Sequence, residues 1–136
     1  MEHGIVVRSS YIAVSIRDPD KKKARIPKQP GLREVLYLAF HDAEPVTNWT
    51  LPDDIRLMTA KQAKRVWAFI LKHQGQVGTV VFHCEQVVSR SPAVAAAVCR
   101  SFGGDAQFFF ENYQPNEYVY RLMLRNHPST EKGNAK

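Results

Sequence analysis

The stretch "VVFHCEQVVSRSPAVAAAV", Val80 to Val98, sets a cysteine at the end of an apolar run and an arginine after five further residues. β-Branched residues lead up to Cys84, and an alanine- and valine-rich segment follows Pro92. A thiol between a strand and a helix stands in the field of the helix amino end and of inward-pointing turn amides, which together favour anions. The same field favours a thiolate near neutral pH. Arg90 adds a planar fork of donors that matches two phosphate oxygens. Between them Glu85, Gln86, Val87, Val88 and Ser89 supply amides for the remaining oxygens. Phosphoryl transfer to sulfur then needs little more than an acid for the leaving oxygen.

The rest of the chain has to hold that junction in place. "IVVRSSYIAVSI", Ile5 to Ile16, reads as a strand, or as two joined by a Ser-Ser turn. The proline-rich "RDPDKKKARIPKQPG" is a loop. "EVLYLAF", Glu34 to Phe40, is a short apolar run of the buried parallel type, followed by Asp42 and a polar loop up to Met58. Thr59 with Gln62 forms a capping box, and Ala63, Val66, Trp67, Ile70 and Leu71 keep helical spacing behind it. "GQVG" ends that helix, "TVVFHC" is the next strand, and "SPAVAAAVCRSF" the next helix, with Pro92 in its first turn. Pro115 to Asn126 reads as a last amphipathic helix, and residues 129–136 as a polar, frayed tail after a single domain over 1–128. The order β, β, α, β, α, α predicts an α/β domain with a central, mainly parallel sheet flanked by helices.

Bulk properties narrow the classes. With 136 residues, 44% of them hydrophobic, the chain can fill one core. No apolar run approaches the 18 or so residues that cross a bilayer, and the start lacks a secretory pattern, so a cytoplasmic protein with no membrane partner is expected. Two cysteines make no disulfide scaffold. A net charge of +6 suggests anionic partners. The basic run Lys21 to Lys28 has no interleaved aromatics, which argues against a specific nucleic-acid surface. Oligomeric state is not readable.

"HCEQVVSRS" resembles the signature loop of the protein tyrosine phosphatase superfamily, His-Cys-x-x-Gly-x-x-Arg-Ser/Thr. "FHDAEP" and "PNEYVYRLML" are similar to its compact dual-specificity branch, particularly the small microbial members. The resemblance runs from about Leu32 to Leu124. It implies a cysteine phosphatase-like fold, no metal or cofactor, and a phosphorylated protein or small phosphomonoester as substrate. Phosphotyrosine is implied, and phosphoserine or phosphothreonine allowed. Cys84 would be the nucleophile, Arg90 and residues 85–89 the phosphate cradle, and His83 a support that orders the loop. Ser91 either caps the helix or, as the resemblance implies, hydrogen-bonds the sulfur and helps it leave. Cys99 reads as core.

The acid implied by the resemblance is an aspartate upstream of the cysteine. Asp42, after "EVLYLAF", is preferred; Asp53 and Asp54 are the rivals. It must be protonated when substrate arrives, so partial burial is expected there. The sequence departs from the family at Val87, where the family has glycine. A β-branched residue disfavours positive φ, and forcing it costs about 1–3 kcal/mol. Three readings stay open: a strained but working loop, a loop reshaped into a poor cradle with reduced activity, or an altered variant of a glycine parent. A catalytically impaired phosphate-binding pseudophosphatase is therefore the alternative function. A sulfur- or arsenate-handling enzyme is a third class, since these also use a cysteine and a five-residue loop.

Overall fold

A computed structural model describes residues 10–45, 51–84 and 88–129. Strand β1 (Tyr11–Arg17) lies in the middle of a three-stranded sheet of order β2-β1-β3, with β2 (Leu32–Ala39) and β3 (Thr79–Cys84) parallel to it on either side. Ile12 through Ile16 are all buried, as a central strand covered on both faces requires. β1 starts at Tyr11, and the expected stretch Ile5 to Ser9 falls outside the described residues. The polar tail beyond Ser129 does so too.

Helix α1 (Ala60–His73) opens on the expected capping box: Gln62 N donates to Thr59 Oγ1 at 3.1 Å, and Thr59 N donates to Gln62 Oε1 at 3.0 Å. Gln62 Nε2 also donates to Ala39 O at 3.0 Å, which joins the helix start to the end of β2. Ala63, Val66, Trp67 and Ile70 are buried as the spacing predicts, whereas Leu71 is 39% exposed and Phe69 is buried in its place. At the other end His73 Nε2 and Lys72 Nζ lie 2.7 and 3.2 Å from Glu34 Oε1 on β2.

α2 (Arg90–Ser101) follows β3, and α4 (Glu117–Arg125) packs against it. Between them lies α3 (Gln107–Asn112), which the sequence pattern does not announce. Six residues with three consecutive phenylalanines carry no helical period. α4 starts two residues later than expected, with Asn116 rather than Pro115 at its entrance.

One set of strand side chains, Ile12, Val14, Ile16, Leu38, Phe82 and Cys84, joins the helices in the core. Trp67 and Val66 of α1, Val94 and Ala97 of α2, and Val119 and Met123 of α4 complete it. Trp67 Nε1 donates to Met123 O at 2.8 Å, so even the largest core side chain has its polar atom satisfied. The alternate side chains meet the 18–31 loop, where Lys23 Nζ sits 4.7 Å above the Tyr37 ring.

Candidate active site

Parallel strands bring their carboxyl ends to one edge. Register pairs Ile16 with both Cys84 and Leu38, and Arg17 with Ala39. The residues past each strand, Asp18, Phe40 to Asp42, and Ser89 and Arg90 beyond Cys84, therefore converge. This is where ligands bind in open α/β sheets.

Cys84 is 2% exposed, and its thiol donates to Ser91 Oγ at 3.1 Å. Ser91 lies inside α2 rather than capping it, so of the two roles open to it the geometry matches contact with the sulfur. Once the thiol ionises, the hydroxyl is placed to donate back. The residue at the N-cap is Ser89, which makes no side-chain cap bond. No side chain of the described residues thus closes the amino end of α2, and an anion can take that place. Pro92 stands in the first turn, where a missing N–H costs nothing.

Arg90 is buried, with Nη1 donating to Asp18 Oδ1 and to Phe40 O, each at 2.8 Å. Burial of a guanidinium is tolerated because a carboxylate and a carbonyl meet it. Among the described residues these bonds occupy Nη1 alone, which leaves the Nε–Nη2 side of the fork for a ligand.

Asp42 is brought to the same edge. Its Oδ1 accepts from Ser89 Oγ at 2.9 Å and from Asn116 Nδ2 at 3.0 Å. The expected partial burial is not met: Asp42 is exposed and held by hydrogen bonds instead. Asp53 and Asp54 form an exposed turn and make no bond to the residues around Cys84 among those described. Geometry therefore favours Asp42 over its rivals.

His83 points to the other face of β3 from Cys84, beside Tyr11, Ile26 and Val81. Its Nδ1 is buried without a hydrogen-bond partner among the described residues. Glu85, Gln86 and Val87 lie outside the described residues, and with them the question that Val87 raises. Val88 is exposed, and its carbonyl accepts from Gln114 N at 2.9 Å. Cys99 is half-buried and lines an apolar cavity of about 340 Å³ with Phe82, Pro92 and Phe109, so it is less a core residue than expected.

Two residues of the site were not read from the sequence. Asp18 sat in a stretch read only as a loop. Asn116 carried the N-cap signal of an Asn before a helix, but that signal names a cap and not a contact with Asp42. Beyond Asp42 opens a polar cleft of about 600 Å³ walled by Glu44, Ser89, Phe110, Tyr113 and Glu117.

No protein-family model matches the sequence, and no curated protein matches it either. Among solved structures the chain is similar to a human tyrosine phosphatase-like serine/threonine/tyrosine-interacting protein, with a TM-score of 0.53, 19% identity, and coverage of 94% of this chain and 80% of that one. It is also similar to Tk-PTP in its active form, with a TM-score of 0.46, 16% identity, and coverage of 90% and 82%. At such identities the likeness to the human protein establishes the fold and not the reaction.

Proposed function

We propose, from the tyrosine phosphatase-like α/β fold of this chain, that it hydrolyses phosphotyrosine, and phosphoserine or phosphothreonine where the cleft admits them, through a phosphocysteine intermediate. The single observation that carries the reading is the 3.1 Å contact between Cys84 Sγ and the hydroxyl of Ser91, the residue that follows the fixed Arg90 in α2. A sulfur that merely filled the core would need no hydroxyl partner.

In the first step the Cys84 thiolate attacks phosphorus and the bond from phosphorus to the leaving oxygen breaks. Asp42 gives that oxygen its proton, so an alcohol or phenol departs. The Nε–Nη2 edge of Arg90 and the loop amides hold the equatorial oxygens, whose charge grows toward the transition state. In the second step water attacks phosphorus and passes a proton to the Asp42 carboxylate. The S–P bond breaks, Ser91 donates to the departing thiolate, and inorganic phosphate leaves. Sulfur, fork and carboxyl account for both steps. The nucleophile must stay a free thiol, which suits the cytoplasm.

A second reading is a phosphate-binding module without turnover. It is favoured by Val87 at the glycine position of the loop motif and by the similarity to a human protein described as tyrosine phosphatase-like and interacting. Turnover of a generic aryl phosphate by the chain and by its Cys84→Ser variant separates the two. Activity in the former alone supports the enzyme, and activity in neither leaves the binding module ahead.

A further inference from the structure

Asn116 is 1% exposed, and all of its polar atoms are engaged. Its backbone N donates to Ser89 O at 3.0 Å, and its backbone O accepts from Tyr120 N at 3.0 Å. Oδ1 accepts from Val119 N at 3.1 Å, which caps α4. The two hydrogens of Nδ2 go to consecutive residues of the acid segment, Asp42 Oδ1 and Ala43 O, each at 3.0 Å. One residue thus ties the position before Arg90, through its backbone N, to the acid segment, through its side chain.

The cap does not explain this arrangement. Serine and aspartate cap a helix about as well as asparagine, because capping needs only an acceptor. The amide's donors are surplus to that need, and both are spent on Asp42 and Ala43. Gln114 N adds a second stitch, donating to Val88 O at 2.9 Å. Since Ser89 Oγ and Asn116 Nδ2 both use Oδ1, the other oxygen, Oδ2, is the one turned over to proton transfer.

We propose that Asn116 is a positioning residue for the general acid, holding Oδ1 of Asp42 so that Oδ2 meets the departing oxygen. The assignment rests on the phosphatase reading above. In the step that protonates the leaving group, which is the step kcat/KM reports, the effect of its loss should depend on how much the leaving oxygen needs a proton.

The test uses the full chain with a series of aryl phosphates running from p-nitrophenyl phosphate to phenyl phosphate. Asn116→Ser keeps the cap acceptor and removes both Nδ2 donors. It should lose at least about tenfold more kcat/KM on phenyl phosphate than on p-nitrophenyl phosphate, within the range that an acid supplies. Asn116→Asp also keeps the cap but sets a carboxylate against Asp42, and should show the same steepening. The double variant with Asp42→Asn should be no slower than Asp42→Asn alone, because both remove one function. Equal losses across the series, or losses that multiply in the double variant, would overturn the assignment. Unfolding of both Asn116 variants would overturn it in favour of a structural clamp. An unsubstituted chain with no turnover overturns the phosphatase reading itself, and an active chain with a uniform Asn116→Ser loss overturns this inference alone.

Discussion

Arg90 and Asp18 meet across the carboxyl edge of the sheet, Nη1 to Oδ1 at 2.8 Å, with the arginine side chain 7% and the aspartate 30% exposed. Phe40 O takes the second hydrogen of the same nitrogen at 2.8 Å, so Nη1 is spent on the protein. Under the proposed function phosphate meets the Nε–Nη2 edge, which offers two parallel donors. Arg90→Lys should therefore lower kcat/KM on an aryl phosphate by about a hundredfold or more, since a point charge cannot reproduce a planar fork held from behind. Asp18→Asn keeps the shape but not the charge, and should lose about tenfold. Steady-state kinetics of the two variants check both figures. A near-normal rate in Arg90→Lys would make Arg90 a structural residue.

Glu34 gives the fold a pH dependence away from the site. The hydrogen bond from His73, and after it that from Lys72, holds its carboxyl below the ordinary carboxylate range. A carboxyl lowered in the folded state contributes stability that is fully present above its unfolded value, about 4.3, and is lost as pH falls through the lower folded value. Glu34 is 43% exposed, so solvent screening limits the contribution to at most about 1 kcal/mol. Glu34→Gln should be less stable than the unsubstituted chain near neutral pH, and the gap should close below about pH 4. Denaturant titrations of both proteins at the two pH values measure it. A gap that widens on acidification would mean that the carboxyl is not lowered by these partners.

Val87 bears on the loop through the chemistry of residue types. If valine strains or tilts the amides, Val87→Gly should strengthen vanadate inhibition and raise kcat/KM. Relief of about 1–3 kcal/mol corresponds to roughly ten- to a hundredfold. The gain should exceed a pure affinity effect, because the re-aimed amides meet charge that grows toward the transition state. Equal rates and equal inhibition in the two proteins would show that the loop works with valine.

What the sequence disclosed was local. Cys84, Arg90 and Ser91 fall within eight residues on one strand-to-helix junction, so their types and spacing carry the site. Thr59 and Gln62 announced α1 in the same way. Asp18 reaches Arg90 only because β1 lies between β2 and β3 in parallel register, a relation between segments 72 positions apart. Asn116 and Asp42 are 74 positions apart, and no local pattern encodes their contact. The exposure of Asp42 was missed for a related reason. Held by two donors on Oδ1, it needs no burial to stay in place.

The covalent mechanism is tested most directly by trapping phosphate on Cys84 during turnover. Ser91→Ala removes the hydroxyl 3.1 Å from the sulfur and should slow breakdown of the intermediate more than its formation. Acid quenching of that variant in the presence of an aryl phosphate, followed by mass spectrometry, should find a phosphoryl group on the peptide bearing Cys84. The same variant should release an initial burst of phenol, and Cys84→Ser should show neither label nor turnover. Phosphatase activity that survives in purified Cys84→Ser, with no phosphoryl group on Cys84 in the active protein, would contradict the account.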